Sequence, residues 1–546
     1  MMSKKLHLLL LAGGMAFSNV INAQLIIDNA TFVIQSNATV SVQGDITSNI
    51  DITGAGKVLL NGTANQNINT GGFAIPNLEI NNAANVTLTG NAAVTTSLLF
   101  TSGKIKLGSN NITLAAGCTS SGMGTNKFLE TDGTGTVKRL FTADASNVIS
   151  PVGVGSDYLP VSLTNTGSTY STASIAVQAK GVVDPNRYPR TQSYLTAYWP
   201  IVKTGITGGT TSAVGTYVDP TKVTGTEADI KGMFWNGSAW SLTGGNQNTA
   251  SNTVGATINN TSGELYGMNT FVLLNAKVFL QGAYNTGSGL MDDKLRNSAA
   301  PTTYNVGVFP ASNLLPLSDP YRTAPYNTIF THVNNTTAET TTTTVLQDQA
   351  VATDNIVDWL FVELRNTATS GNTVLQTRSV LLQRDGDIVD VDGVSPVYFQ
   401  NNAPGTFVIT VKHRNHLPIS INPTVTTQAL SLSPNTSLDF TTTSTGNVLG
   451  TANTNYYNNG TKNFMYAGNA NINNNVKMSG SGNDGSYILG TILSNDVTKS
   501  LNDYNVGDVN MNRITKYSGA GNDGSYILST PLNNVTTAIK SQILPL

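Results

Sequence analysis

Short apolar runs recur from about residue 24 to 150. They include Leu25-Ile26-Ile27, Val58-Leu59-Leu60, Leu78-Glu79-Ile80, Val86-Thr87-Leu88, Leu98-Leu99-Phe100, Lys104 to Leu107 and Ile112-Thr113-Leu114, with Gly, Asn and Ser between them. Strands this short with turns this frequent predict a β-solenoid or a many-stranded sandwich. Asn suits solenoid corners because it tolerates left-handed backbone and bonds its own main chain. From 151 to 275 the runs lie further apart: Leu159 to Leu163, Ser174 to Ala179, Tyr194 to Val202, Met233 to Trp240 and Phe271 to Leu274. That spacing predicts a β-sandwich, with Trp199, Trp235 and Trp240 filling its core. A sugar platform is the other use of such a cluster, but Trp is mostly buried.

Residues 276 to 425 carry longer runs, Val278 to Tyr284 and Trp359 to Arg365 among them. Phe407, Ile409, Val411 and His413 alternate onto one strand face. Asp385-Gly386 marks a tight turn. Residues 426 to 460 are rich in Ser, Thr and Asn and predict a linker. The whole pattern predicts an all-β protein.

Composition supports this and removes other classes. In 546 residues, 29 Lys and Arg stand against 31 Asp and Glu, and charged residues are 11%. Asn and Thr supply about a quarter of the chain, well above average usage. Near-zero net charge without a basic block argues against nucleic-acid binding. The single Cys118 cannot form an intrachain disulfide. Lys4 and Lys5, the apolar run from Leu8 to Phe17 and the small Ala23 before Gln24 predict a cleaved signal peptide over residues 1 to 23. Its apolar run is too short to span a bilayer. The mature chain is therefore expected outside the cell or on its surface, with no transmembrane segment.

A duplication closes the chain. Gly468-Asn469-Ala470-Asn471-Ile472-Asn473 matches Gly507-Asp508-Val509-Asn510-Met511-Asn512. Gly482-Asn483-Asp484-Gly485-Ser486-Tyr487-Ile488-Leu489 matches Gly521-Asn522-Asp523-Gly524-Ser525-Tyr526-Ile527-Leu528. Alternating oxygen-bearing side chains are what a calcium loop needs. Asp508, Asn510, Asn512, Asn522 and Asp523 are candidate calcium ligands. Asn469, Asn471, Asn473, Asn483 and Asp484 form the weaker set, because only Asp484 carries charge. No acid stands at the twelfth loop place, which is Gly480 or Gly519. Polar turns whose Asn side chains satisfy the backbone are the alternative. Ile488, Leu489, Ile492 and Leu493 have the spacing of a short helix, and Pro531 stops a second one early.

No catalytic constellation emerges. His413 and His416 would face opposite ways on one strand, so a shared metal needs the strand to have ended. Asp385, Asp387, Asp390 and Asp392 surround the Asp-Gly turn, where solvating a hairpin is preferred to acid–base work. No phosphate loop, nucleophile elbow or dinucleotide fingerprint is present.

Three stretches carry family resemblances. Pro76-Asn77-Leu78-Glu79-Ile80-Asn81-Asn82 through Lys104-Ile105-Lys106-Leu107 resembles the strand-rich repeats of bacterial surface adhesins. The strand Gly405-Thr406-Phe407-Val408-Ile409-Thr410-Val411 resembles transthyretin-like sandwiches. With Leu315-Pro316-Leu317, Asp358-Trp359 and His413-Arg414-Asn415-His416-Leu417, residues 276 to 425 also resemble a module of type IX-secreted surface proteins. The duplicated end, residues 461 to 546, resembles dockerin-type calcium loops, whose paired helices offer one face to a partner. Together these imply a secreted, non-catalytic, adhesin- or haemagglutinin-like protein binding glycans or proteins. A self-assembling extracellular scaffold and a polysaccharide-acting enzyme or accessory protein are the other readings.

Overall fold

The computed structural model describes residues 23–298, 304–367, 372–435, 437–443 and 446–545. The expected signal peptide lies, but for its last residue, outside them. The chain is all-β, with 42% strand and 5% helix. It forms two compact units, one ending at Thr270 and one starting at Phe271. No described helix is long and apolar enough to cross a membrane.

The first unit opens as a β-solenoid of about six turns. One stack of parallel strands runs Leu25–Ile27, Ile46–Ser48, Gln66–Asn69, Val86–Leu88, Ile105–Lys106, Leu129–Glu130 and Val152–Val154. A second runs Thr39–Val42, Lys57–Leu60, Ala74–Asn81, Ala92–Ser102, Ile112–Leu114 and Val137–Phe141. Phe32–Val33 and Ile52–Thr53 make a short third face. Stacked partners lie from 18 residues apart (Thr39 and Lys57) to 25 apart (Ile112 and Val137). Ile46, Ile68, Val86, Ile105 and Leu129 fill the interior from one stack, and Val58, Leu78, Leu98, Ile112 and Val137 from the other. Aliphatic side chains of successive turns thus sit about 4.8 Å apart and share one dry core.

Asparagine makes the corners, as its turn chemistry predicts. Asn37, Asn85 and Asn126 all have positive φ. Other asparagines link successive turns. Asn91 Oδ1 accepts from Asn111 N at 2.8 Å, and Asn111 Oδ1 accepts from Thr136 N at 2.9 Å. Gly103 has φ of 81°, and a Cβ there would lie 1.8 Å from the Asn82 carbonyl oxygen.

The solenoid passes into a sandwich without a break. Val137–Phe141 pairs parallel with Ile112–Leu114 on one edge and antiparallel with Thr169–Val177 on the other. The sheet continues through Trp199–Thr207 and Ser262–Asn269. A second sheet comprises Ala145–Ser150, Val161–Thr166, Thr210–Thr216, Thr253–Thr257 and Asn246–Asn248. The expected division at 150 therefore lies inside this unit. Trp199 and Trp240 are buried, and Trp199 Nε1 donates to the Leu159 carbonyl at 2.9 Å.

The second unit is built on one sheet, in the order Leu438–Asp439, Ala276–Lys277, Asp387–Val389, Val374–Gln383, Ile356–Arg365, Gly405–His413 and His416–Ser420. Ile356–Arg365 is buried along its whole length. Leu315, Tyr321, Tyr326, Phe330 and Leu346 pack into the same core from irregular segments. The stretch expected as a linker supplies Leu430, Phe440 and Val448 to that core, and the duplicated end supplies Ile472, Val506 and Met511. The expected divisions at 425 and 460 fall inside the unit, because a few well-spaced apolar side chains suffice to dock a polar stretch. Helices Asp484–Tyr487 and Asp523–Ser529 begin at corresponding places in the duplication.

Candidate functional site

The duplicated loops fold alike. Ile472 and Met511 occupy the same place in each, with φ of 52° and 54°. Positive φ at a β-branched residue is strained, so the loop fold must be over-determined by its surroundings. Much of that determination comes from carboxylates accepting main-chain amides. Asp523 takes Val509 N and Lys516 N, both at 3.0 Å. Asp508 takes Asn512 N and Arg513 N, both at 2.9 Å. Asp484 takes Asn471 N at 3.3 Å and Lys477 N at 3.0 Å. Asn510 and Asn512 donate to the Gly521 carbonyl, and Asn471 and Asn473 to that of Gly482.

Four of the five residues proposed for the second loop therefore converge: Asp508, Asn510, Asn512 and Asp523. Asn522 does not join them. Its Oδ1 accepts from Ser525 N at 2.7 Å and caps the helix, as Asn483 does with Ser486 N at 2.7 Å. In the first loop Asn469, Asn471, Asn473 and Asp484 gather. The Oδ1 of buried Asn469 has no hydrogen-bond partner.

The electrostatics are unfavourable as they stand. Burial pushes the Asp484 carboxyl up to about 7 and that of Asp508 up to about 6. Burial, and then Asp508, push Asp523 well above the carboxylate range. Clustered carboxylate and amide oxygens that resist ionisation are the donor set a hard divalent cation suits. The second loop thus gathers two carboxylates and two amide groups, and the first gathers Asp484 and the unpartnered Asn469 oxygen.

The module's helical end is already engaged within its own unit. Arg414 Nη1 donates to the Asn505 carbonyl, Asn415 Nδ2 to those of Val506 and Asp508, and Tyr526 Oη to that of Gln281. Behind these contacts lies a buried group. The strand does end after His413, and a tight turn brings His416 Nδ1 within 3.0 Å of His413 Nδ1. Gly282 N donates to His416 Nε2, which leaves the His416 proton on Nδ1. His413 then accepts at Nδ1 and donates from Nε2 to Asp358 at 3.0 Å. Asp358 also accepts from Arg414 Nε at 2.9 Å and Tyr504 Oη at 2.8 Å. Burial opposes its charge, yet Arg414 and His413 hold it down at about 2. With every ring nitrogen engaged, the histidine pair is structural.

The four acids of the Asp-Gly hairpin are also engaged. Lys277 pairs with Asp385 and Asp387, each at 3.1 Å, and Arg378 with buried Asp390 at 3.0 Å. Asp392 accepts from Val394 N and Ser395 N.

Two clusters carry no local sequence signal. Asp319, His332 and Glu339 bring possible ligand atoms within 4.8 Å of one another. Arg322 lies 3.1 Å from Asp319 and Arg378 2.9 Å from Glu339. Two guanidinium groups thus already balance the two carboxylates. Burial and Arg322 hold His332 down at about 4. In the first unit, Asn186 bridges Asp184 and Glu264, donating from N at 2.7 Å and from Nδ2 at 2.8 Å. Burial pushes Asp184 up to about 7. The neighbouring Trp240 and Tyr266 are core residues.

Comparison with protein-family models, with curated proteins and with solved structures found no match.

Proposed function

We propose that this is an exported, non-catalytic protein of the cell surface or extracellular space that binds glycans or proteins through its β-rich units. The supporting observation is the outer surface of the solenoid. Thr, Ser and Asn side chains recur there on successive turns and bond one another, as Ser41 to Asn61 at 2.9 Å, Ser97 to Asn77 at 2.7 Å and Thr87 to Asn65 at 3.0 Å. A polar ladder with a spacing of about 4.8 Å offers many weak, regularly placed contacts to a repeating polymer. Calcium held by Asp508, Asn510, Asn512 and Asp523 has a structural role in this reading, neutralising buried carboxylates and fixing a strained loop.

Self-assembly is the second reading. It is favoured by the first solenoid turn, where Leu25–Ile27 pairs on one side only among the described residues and Ile26 and Val33 are exposed.

A thermal melt of the mature chain with calcium and with chelator, beside a glycan array in both buffers, tests the main reading. A calcium-dependent rise in melting temperature that disappears in Asp508→Ala plus Asp523→Ala is expected, together with glycan signal. Absence of both, with concentration-dependent sedimentation, moves the assignment to the scaffold.

A further inference from the structure

Among the described residues, Arg139 is deeply buried without a carboxylate partner, unlike Arg296, Arg365 and Arg414, and like Arg513, which an amide oxygen and two carbonyls hold. Arg296 pairs with Asp293 and Asp348, Arg365 with Glu363, and Arg414 with Asp358. Arg139 is 2% exposed, yet among the described residues it forms no ion pair with an Asp or Glu. Its guanidinium donates to the Cys118 carbonyl at 2.8 Å, to Ser120 Oγ at 2.9 Å and to the Ile149 carbonyl. Its Nε has no acceptor. Burying a charge without an opposite charge is costly.

Position explains what the charge faces. Arg139 lies on Val137–Phe141, the strand where parallel pairing gives way to antiparallel. There the turn carrying Cys118 and Ser120 and the sandwich strand Ala145–Ser150 line the same space. The wedge between them is a cleft of about 470 Å³, within the range of small-molecule sites, and Arg139 lines it. Ala115, Ala116 and Phe141 give apolar wall; Thr119, Ser120 and Asn147 give hydroxyl and amide groups. Asp144 on the rim is occupied, accepting from Gly167 N at 2.6 Å, Ser168 N at 3.2 Å and Tyr170 Oη at 2.6 Å.

We propose that this cleft binds a carboxylate-bearing saccharide, a hexuronate unit, with its carboxylate toward Arg139. The lining carries one cation, buried Arg139, and one anion, exposed Asp144, so a carboxylate belongs at Arg139 and away from the Asp144 rim. A wall of mixed apolar and hydroxyl groups matches a sugar ring, which has both kinds of surface. The inference deepens the glycan-binding reading and rests on it.

The test is titration calorimetry of the mature chain with trigalacturonate and trimannuronate, and with their methyl esters, which keep the rings and remove the charge. Saturable one-to-one binding of at least one acid is expected, at least tenfold weaker for its ester and weakened by salt. Arg139→Met should lose at least tenfold. Ala116→Trp, at an exposed position of the lining, should block the cleft even if Arg139→Met fails to fold. Neither acid binding, esters binding as well as acids, or Ala116→Trp binding like wild type overturns the proposal. Should the array find neutral glycans while both acids fail, the cleft assignment falls and the adhesin reading stands.

Discussion

Gln66 sits inside the solenoid, where its Oε1 accepts from Gly62 N at 2.8 Å and Asn82 Nδ2 at 2.9 Å, and its Nε2 donates to the Val42 carbonyl at 2.9 Å. One buried amide therefore satisfies groups from several turns. Replacing it by Ala strands them, at about 1–3 kcal/mol for each group left unpaired. Gln66→Ala is expected to lower the first unit's melting temperature by several degrees; an unchanged melt would mean that water replaces the amide. Nothing in the local pattern marks Gln66, since a polar residue between short strands reads as solvent-facing. Arg139 and the Asp184–Glu264 pair are illegible for the same reason, their burial being set by strands that arrive later in the chain. Asn522 shows a different failure. Its type suits both a calcium ligand and a helix cap, and only the direction of its side chain decides between them.

At the scale of elements, the duplicated loops were legible because a 39-residue offset preserves residue type at most key positions, Asn469 against Asp508 being the exception. What could not be read was the depth of burial of their carboxylates. That burial gives a signed pH response. The folded Asp484 and Asp508 values, about 7 and about 6, lie above the ordinary 3.8. A raised folded value means stability that is present at low pH and lost as pH rises from the ordinary value through the folded one. For Asp508 alone the shift corresponds to at most about 3 kcal/mol. His332, held at about 4, and His413 and His416, which burial also holds below the ordinary 6.5, act the other way below that value. In chelator, the stabilisation these carboxyls give the second unit is thus expected to be lost between about pH 4 and 7, read as a fall in melting temperature. Calcium should reduce the fall, and Asp508→Asn plus Asp523→Asn should reduce it without calcium, leaving the part that Asp484 contributes. A flat chelator profile for the wild type would show that these carboxylates ionise freely.

For the whole molecule, the seams lie elsewhere than composition places them. A Ser/Thr/Asn-rich stretch looks like a linker, yet Leu430, Phe440 and Val448 carry residues 426 to 460 into a core. Solenoid and sandwich look like two domains, yet Val137–Phe141 belongs to both. Two fragments, residues 24–270 and 271–546, are therefore expected to fold alone, each with a cooperative melt. Fragments cut at 150 or at 425 should not, because each cut leaves a sheet or core without its other half. Circular dichroism and melting of each fragment check this, and a cooperative melt of residues 24–150 would contradict it.

The sequence by itself determined the strand-rich class, the Asn corners, the duplicated loops and the early end of the second helix. Each follows from contacts within a few residues: alternation of apolar side chains, left-handed tolerance, side-chain bonds to nearby main chain, and proline's missing amide. Only the tertiary structure decided how the turns stack, which polar residues are buried, where the unit boundary falls and which charge is left unpaired. Stacking depends on partners 18 or more residues away, and burial, unlike turn chemistry, is a property of all the neighbours a residue acquires.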